Sequence, residues 1–342
     1  MRLSLLSIVS LALGCLAVSA QSSYQGQFRF VSRSCLPARF NSLVVFGDSF
    51  SDTGNVLELS NHTWPLSALY PEGRFTNGFI WADYVSKDRR LNMSNFAHGG
   101  ATTDSDVVQG YSGSKADLPV PGFIQQINDH YLPNRSPEDV AELDSTVFVV
   151  SFQGNDFLFD TSISTETVLA NVERGIHRLI DRGARHIVVM ENSDFGHIPY
   201  FLSNETLVQE MTALAEKLHR GYQDMVYRFR RQYGHPRRTG GTDGRSHVFF
   251  NCDAQQTYSN KKNNSRPETK VNVAFFDLFV FLRRLNHPRR LRQLGITDVA
   301  HGCVDPNAET GCADPGSHYY YDPYHSATKI HREIANGLLE LL

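Results

Sequence analysis

Residues 43–49 read Leu43-Val44-Val45-Phe46-Gly47-Asp48-Ser49, a short apolar run that ends in a glycine turn. The same order, an apolar run and then a helical pattern, recurs at 43–46 and 79–87, 146–151 and 165–182, 186–191 and 205–233, and 271–276 and 278–294. An amphipathic stretch at 327–342 follows them. Apolar strands that alternate with helices are typical of a parallel sheet covered on both faces. The sequence therefore predicts an α/β fold, a single-domain doubly wound parallel sheet, with its ligand beyond the carboxyl ends of the strands.

The composition is that of a globular protein. Of the 342 residues, 41% are hydrophobic and 11% are aromatic, which is too many for a disordered chain. The 33 Lys and Arg residues are outnumbered by 36 Asp and Glu residues, which gives a net charge of −3. No basic excess exists to release counterions from a nucleic acid. We therefore expect one domain over residues 41–342 and no nucleic-acid partner.

The first twenty residues have the pattern of a secretory signal peptide. Arg2 supplies the positive charge, residues 3–16 form a short apolar core, and Val18-Ser19-Ala20 has the small-x-small pattern that a signal peptidase cleaves. No later stretch has the roughly 18 uninterrupted apolar residues that a membrane span needs. We expect a signal peptide over 1–20, an N-terminal extension over 21–40, and a secreted, extracellular protein with no integral membrane segment.

The glycosylation sequons and the cysteines agree with export. The five Asn-x-Ser/Thr sequons are at Asn61, Asn92, Asn134, Asn204 and Asn263. Cys15 leaves with the signal, and the remaining four cysteines, Cys35, Cys252, Cys303 and Cys312, allow three pairings. We favour Cys303–Cys312, because the short loop between them closes easily, and this leaves Cys35–Cys252. Neither spacing resembles a zinc site.

Four separated segments carry residues that are suited to chemistry. Ser49 directly follows the first apolar run, at the edge where ligands bind, although Ser49 or Asp48 could instead only cap a helix. Residues 95–103 contain paired glycines that let the backbone present N–H donors. Residues 148–156 end in another glycine turn, where Asn155 is either a turn former or a donor to developing negative charge.

The fourth segment places Asp322 three residues before His325, ahead of the final helical stretch. A carboxylate in this position can orient the imidazole and leave Nε2 free as a base. Two further pairs have the same spacing, Asp194 with His197 and Asp298 with His301. The spacing alone therefore does not select the base.

This ordered set of segments resembles the SGNH/GDSL esterase-lipase superfamily, which is named for its Ser, Gly, Asn and His, here Ser49, Gly100, Asn155 and His325. The likeness covers about residues 43–325. Residues 70–78 (YPEGRFTNG) with Trp81, and residues 95–103, are similar to a secreted fungal-type branch that includes the acetylesterases of carbohydrate esterase family sixteen.

The resemblance implies a role for each site residue. The catalytic residues would be Ser49, Asp322 and His325. The oxyanion hole would comprise the backbone N–H groups of Ser49 and Gly100 with the Asn155 side chain. The residues assigned to scaffolding of the site are Asp48, Asp52, Asn55, Gly154 and Asp156. The resemblance also selects His325 over the other two histidines, because the catalytic His of the family precedes the last helix.

The sequence departs from the family pattern at two positions. Ser326 stands where proline commonly follows the catalytic His, and His98 stands where an apolar residue usually precedes the paired glycines. Neither change removes a catalytic group. We expect His98 to be packed in the structure rather than to touch the acyl pocket, because a lone His is more often structural.

The resemblance implies a secreted serine carboxylic-ester hydrolase that removes short (acetyl) groups from carbohydrates. The alternative is a lipase, phospholipase or thioesterase for longer acyl chains, and a remote one is a non-catalytic binding protein. The tyrosines at 319–321 either stack on a sugar or form a buried strand. No metal or organic cofactor is expected, and the sequence has no metal or phosphate-loop motif. We expect a small-molecule or oligosaccharide ester as the partner of a monomeric enzyme.

Overall fold

A parallel sheet lies at the centre of the computed structural model, which describes residues 39–135, 142–233, 271–305 and 310–342. In chain order, the described strands are β1 (Ser42–Gly47), β2 (Asn92–Asn95), β3 (Gly110–Ser112), β4 (Leu118–Val120), β5 (Thr146–Ser151), β6 (His186–Met190), β7 (Asn272–Phe276), β8 (Asp298–Gly302), β9 (Val304–Asp305), β10 (Thr310–Gly311) and β11 (His318–Tyr320). The sheet has the order β2-β1-β5-β6-β7, and every pairing in it is parallel. This topology confirms the predicted α/β class.

Helices cover both faces of the sheet. The described helices are α1 (Asn55–Leu59), α2 (Trp81–Arg89), α3 (Phe123–Gln125), α4 (Asn155–Phe159), α5 (Thr165–Asp181), α6 (Glu205–Tyr233), α7 (Leu278–Leu285), α8 (Pro288–Leu294) and α9 (Thr328–Leu339). A π-helical turn at Gln126–Tyr131 continues α3. Helices α5 and α6 contribute to the core on one face, and α2, α7 and α9 contribute to the core on the other.

The two-sided core follows from the strand sequences. Val44 and Phe46 of β1 belong to the cluster with α5 and α6, whereas Leu43 and Val45 belong to the opposite cluster. Successive side chains of a strand point to opposite faces, so an uninterrupted apolar run is what two covered faces require. The carboxyl ends of β1, β5, β6 and β7 meet at one edge, and the loops that follow them carry the polar segments.

The structure differs from the sequence-based expectation in two places. The helix predicted over 278–294 is divided into α7 and α8, because Pro288 has no N–H to continue the first helix and instead starts the second. Strand β2, with the sequence Asn92-Met93-Ser94-Asn95, lacks the apolar run that marks a central strand. It lies at the sheet edge beside β1 alone, where one side faces solvent.

The described residues include one of the predicted disulfides and the asparagines of four of the five sequons. Cys303 and Cys312 form a disulfide, the pairing that we favoured. The sequon residues Asn61, Asn92, Asn134 and Asn204 are exposed. Cys35, Cys252, Asn263, the signal peptide and the extension up to residue 38 lie outside the described residues. Among the helices that the structure describes, none is long and apolar enough to span a membrane.

Candidate active site

Ser49, His325 and Asp322 form one hydrogen-bonded row. Ser49 lies in the turn after β1, and the other two residues lie just before α9. The Ser49 Oγ is 2.8 Å from His325 Nε2, and His325 Nδ1 is 2.8 and 2.7 Å from the two Asp322 carboxylate oxygens. In this geometry the imidazole can take a proton from the serine hydroxyl while the carboxylate holds its other nitrogen.

The Asp322 carboxylate has further donors around it. Its Oδ1 accepts the backbone N–H groups of Tyr324 and His325, both at 2.8 Å, and its Oδ2 accepts the Tyr70 hydroxyl at 2.8 Å. Burial by itself would raise the pKa of Asp322, but the neighbouring His325 and these hydrogen bonds hold that pKa below its ordinary value. The carboxylate therefore stays ionised beside the imidazole.

The two other Asp–His pairs lie at the surface. His197 Nδ1 is 3.1 Å from Asp194, and His301 Nδ1 is 3.0 Å from Asp298. These imidazoles are 54% and 78% exposed, whereas that of His325 is 16% exposed. No hydrogen bond joins either ring to Ser49. The structure thus brings together the pair that the resemblance selected and leaves the other two apart from the serine.

Three N–H donors line the same cavity as the Ser49 hydroxyl. Within the described residues, the backbone N–H groups of Ser49 and Gly100 donate no hydrogen bond, and the Asn155 amide donates one to the Ala101 carbonyl at 3.0 Å. Gly100 has a φ of 87°, and a Cβ at this position would overlap the Tyr111 carbonyl oxygen. Only glycine allows this backbone path. Such donors can stabilise a developing oxyanion.

Asp52 and Asn55 connect the Ser49 loop to the loop with the paired glycines. Asp52 Oδ2 accepts the Gly99 N–H at 2.8 Å, while its Oδ1 accepts backbone N–H groups at the start of α1. The Asn55 amide donates to the carbonyls of Asn95 and Ala97 at 3.0 and 2.7 Å. Burial raises the pKa of Asp52 to about 6, and the backbone donors oppose that rise.

Asp48 and Asp156 connect the loop after β5 to the other two loops. Asp48 Oδ2 accepts the Gln153 N–H at 2.6 Å, and Asp156 Oδ1 accepts the Thr103 hydroxyl at 2.6 Å. Burial raises the pKa of Asp48 to about 6 and also raises that of Asp156. Gly154, with a φ of 96°, provides the turn from which α4 begins. These contacts set the spacing between the hydroxyl and the three N–H donors.

Tyr70 and Phe75 contact the row directly, and the sequence interpretation gave them no role. Both belong to the 70–78 segment. Tyr70 donates to Asp322, and the Phe75 ring lies 5.2 Å from the His325 ring, centroid to centroid. A Cβ at Gly99 would overlap the Phe75 ring, so the first of the paired glycines makes room for this aromatic contact. The unusual sequence of the 70–78 segment was the signal that could have indicated a role for these two residues. Which groups they contact, however, depends on the fold.

Gln126 is a second residue that the sequence did not reveal. It is fully buried, its Oε1 accepts the Gly47 N–H at 3.1 Å, and its Nε2 donates to the Gly47 carbonyl at 2.8 Å. It therefore satisfies the backbone of β1 at the point where the chain turns towards Ser49. Nothing in the local sequence around Gln126 indicates that its hydrogen-bond partner, Gly47, lies 79 positions away.

A cavity of about 780 Å³ lies over Ser49. The rings of Tyr200 and Tyr324 line it, with centroids 4.7 Å apart, and these residues are 51% and 40% exposed. His98 is not among the residues that line the cavity; it is 8% exposed, and burial lowers its pKa to about 4. Of the tyrosine run at 319–321, Tyr319 and Tyr321 are buried and only the first two belong to β11. Tyr319 and Tyr320 also line the cavity, so the buried-strand alternative does not describe the whole run.

The chain is similar to a known family and to several known proteins. The family model of the GDSL-like lipase/acylhydrolases matches residues 43–338. Thermolabile hemolysin of Vibrio parahaemolyticus is 30% identical over 165 residues, which are 48% of this chain and 37% of the hemolysin. Acetylajmalan esterase 2 of Rauvolfia serpentina is 22% identical over 356 residues, with 88% of this chain and 90% of that protein covered.

The chain is also similar to a solved structure. The member of the lipolytic protein G-D-S-L family from Veillonella parvula has a TM-score of 0.43 and 9% sequence identity, with 88% of this chain and 97% of that chain covered. The chain spans little more than a third of the length of the hemolysin. The family model, by contrast, covers most of the chain, and it does so from the first strand to the last helix. This protein belongs to the GDSL-like lipase/acylhydrolase family.

Proposed function

We propose that this protein is a carboxylic-ester hydrolase in which Ser49 is the nucleophile, His325 the general base and Asp322 the residue that orients the base. The observation that carries the proposal is the hydrogen-bonded row of these side chains, with contacts of 2.7 to 2.8 Å, beside N–H donors in one cavity. A hydroxyl–imidazole–carboxylate row of this kind is the arrangement that nucleophilic acyl transfer requires.

The reaction follows from the position of each atom. Ser49 Oγ attacks the ester carbonyl while His325 Nε2 takes its proton, and His325 then protonates the leaving alcohol. Water, deprotonated by the same imidazole, cleaves the acyl-enzyme and restores the serine. Asp322 stabilises the imidazolium that forms in each half-reaction, acylation and deacylation. The N–H groups of Ser49 and Gly100 and the Asn155 amide stabilise the negative charge on the carbonyl oxygen.

A fluorophosphonate probe tests the nucleophile. We expect the probe to modify a peptide that contains Ser49 and to leave the Ser49→Ala variant unlabelled. Ser114→Ala is the matched control, because Ser114 lines the same cavity but has no imidazole partner. This control should be labelled like the wild type. Modification of a serine other than Ser49 would contradict the proposal.

Asn155→Ala should reduce kcat by about 10²–10³, because one of the oxyanion donors is lost. KM for p-nitrophenyl acetate should change much less, since the donor acts on charge that exists mainly in the transition state. Asn286→Ala is the control, because Asn286 is another asparagine of the cavity lining. Equal kcat values for the two variants would remove Asn155 from the oxyanion hole.

Tyr70→Phe should lower kcat/KM by about 10-fold, because a hydrogen bond to a charged group is lost. Without this donor the Asp322 carboxylate is a stronger base and its pKa rises. The carboxylate then stabilises the imidazolium form of the general base more strongly, so the acid limb of the pH–rate profile moves to higher pH. Tyr321→Phe is the control, since the Tyr321 hydroxyl donates to the Leu69 carbonyl and not to the row. An unchanged acid limb in Tyr70→Phe would show that Tyr70 has only a packing role.

We further propose that the substrate is a short-chain ester, an acetyl group on a carbohydrate. The exposed rings of Tyr200 and Tyr324 beside His325 support this proposal, because an exposed tyrosine offers an apolar face and a hydroxyl to a sugar. The relative named acetylajmalan esterase acts, by its name, on an acetyl ester. A longer acyl chain is the second candidate, favoured by Leu158 and Phe159, which line the cavity and are 44% and 36% exposed.

Substrate profiles separate these candidates. The acetyl proposal predicts faster turnover of p-nitrophenyl acetate than of the palmitate ester, and release of acetate from acetylated xylo-oligosaccharides. Tyr200→Ala and Tyr324→Ala should raise KM for the oligosaccharide while leaving KM for p-nitrophenyl acetate nearly unchanged. A preference for palmitate, lost in Leu158→Ala, would favour the lipase candidate.

We also propose that the protein is exported, cleaved after Ala20, glycosylated at its exposed sequons and active as a monomer. The disulfide between Cys303 and Cys312 supports export, because disulfides persist in oxidising compartments. Expression of the full chain in a secreting eukaryotic host tests this. We expect an N-terminus at Gln21 in the medium and a loss of mass after enzymatic deglycosylation.

A further inference from the structure

A second group of side chains with metal-binding chemistry lies outside the hydrogen-bonded row of Ser49. Glu191 directly follows β6, Asp277 directly follows β7, and His219 projects from α6. One ligand atom from each of the three residues lies within 4.8 Å of the others. Their separations in sequence, 28 and 58 positions, match no metal motif, so only the parallel sheet and the helix that covers it bring them together.

Each side chain of this group is already oriented towards the others. His219 Nδ1 lies 2.7 Å from Glu191 Oε2, and the His219 ring stacks on Phe279 at 4.8 Å. The amide nitrogen of Gln223 lies 3.1 Å from His219 Nε2. Rotation of this amide by 180° would put its oxygen in that place, where it would accept the Nε2–H and leave the Nδ1 lone pair pointing at the carboxylates, which is how outer ligands fix a metal-binding histidine.

One oxygen of the group points to a missing ligand. Glu191 is 0% exposed, and its Oε1 has no hydrogen-bond partner among the described residues. Burial, followed by the charge of Asp277, raises the pKa of Glu191 well above its ordinary value. The other charged groups that act on His219 are Glu216, Arg220 and Arg283. Two carboxyl groups so close together in a buried position need either a shared proton or a cation.

We propose that Glu191, His219 and Asp277 bind one zinc-type divalent cation. A mixed imidazole and carboxylate donor set suits Zn²⁺, whereas Ca²⁺ and Mg²⁺ prefer oxygen ligands alone. His219, whose side chain is 14% exposed, and the half-buried Asp277 provide a route from solvent to the buried Glu191. The cation is held by three bonds, one each from the residues that follow β6 and β7 and from α6.

The site is structural and separate from ester cleavage. Asp277 Oδ1 already accepts the Val280 N–H at 2.9 Å and so starts α7. The Glu191 carbonyl accepts from the Gln153 side chain at 3.2 Å, and the Gln153 N–H donates to Asp48. A bound cation would therefore hold the ends of β6 and β7 beneath the loops of the candidate active site, without touching the substrate.

Isothermal titration with Zn²⁺ tests the site on protein that has been treated with EDTA and dialysed. We expect one ion per chain, and an observed enthalpy that depends on the buffer because a proton is released. At a free zinc concentration 100 times the Kd, the Tm should rise by about 5 °C. Co²⁺ in place of Zn²⁺ should give visible absorption bands that follow the same stoichiometry.

Glu191→Gln and His219→Gln should each weaken zinc binding about 100-fold or more, and Gln223→Leu about 10-fold. His301→Gln is the matched control, because His301 makes an exposed pair with Asp298 that lies outside the group of Glu191, His219 and Asp277. It should bind zinc like the wild type. If the Glu191→Gln variant does not fold, His219→Gln still tests the site, because a substitution at this half-buried position is better tolerated.

Two results would overturn the metal site. The first is the absence of saturable zinc binding to the wild type. The second is binding that His219→Gln leaves unchanged, since the ion would then lie elsewhere. In either case the carboxyl groups of Glu191 and Asp277 share a proton instead, and Glu191→Gln should keep or raise the Tm of the wild type.

Discussion

Ser49→Ala is expected to lower kcat for p-nitrophenyl acetate by about 10⁶, the scale of loss seen when a serine nucleophile is removed. The variant retains the N–H donors at Gly100 and Asn155, so a residual rate above that of water should persist. KM should change little, because the Ser49 hydroxyl is small and the cavity around it is large. Stopped assays with long incubation and a heat-inactivated blank can measure such a slow rate.

Two controls make the kcat of Ser49→Ala interpretable. One is the Ser114→Ala variant, and the other is the Tm of the Ser49→Ala variant. The Ser114 variant should keep the wild-type kcat, since Ser114 lines the cavity but, within the described residues, has no hydrogen bond to a histidine. The Ser49 variant should unfold at the wild-type temperature, because the lost Oγ makes one hydrogen bond, to His325. If Ser49→Ala kept more than about 1% of the wild-type kcat, its activity would be far above the expected residual activity, and Ser49 would not be the nucleophile.

His325→Ala is expected to reduce kcat by a similar factor, about 10⁶, because the nucleophile and its base act as one unit. His197→Ala and His301→Ala should stay within about 2-fold of the wild type, since removal of a surface pair has little effect elsewhere. All three histidines follow an aspartate by three residues, so they form a matched set. Measurement of kcat/KM for the three variants on one ester separates them.

The contrast between these histidines is the informative result. Loss of activity in His197→Ala with retention in His325→Ala would move the base to the pair with Asp194, whose histidine also lines the cavity. Loss in His301→Ala would require a large movement of the exposed pair with Asp298. A double variant, Ser49→Ala with His325→Ala, should be no slower than either single variant, because each alone already disables the unit.

The elements that sequence reasoning located most accurately are those with one dominant physical signal. The strand predicted at 146–151 and the helix predicted at 205–233 have the predicted bounds in the structure. The first is a run of residues buried on both faces, and the second is a long amphipathic pattern. Strand β2 has no such signal, since its residues alternate between exposed and half-buried at the edge of the sheet. Pro288 was visible in sequence, but the helical pattern on either side of it concealed the break.

The same division applies to the candidate site. Glycine turns after apolar runs located Ser49 and Asn155, because their positions follow from where strands end. The family resemblance, and not an apolar run, selected Gly100. The Tyr70 hydrogen bond to Asp322 spans 252 positions. The backbone contacts of Gln126 span 79 positions. Nothing in the local sequence selects such partners, since any buried donor could meet any acceptor until the sheet order is known.

By itself, the amino-acid sequence determined the class of the fold, the order of the polar segments along the chain and the family that they resemble, because these depend on local periodicity and on residue types at strand ends. The family resemblance selected the Asp–His pair at 322 and 325, and the tertiary structure brings that pair to Ser49. Only the tertiary structure decided which carboxylates connect the loops, and that Glu191, His219 and Asp277 converge. The physical reason is that sheet order and helix packing set distances between residues that are remote in sequence, and hydrogen bonds and metal bonds depend on those distances.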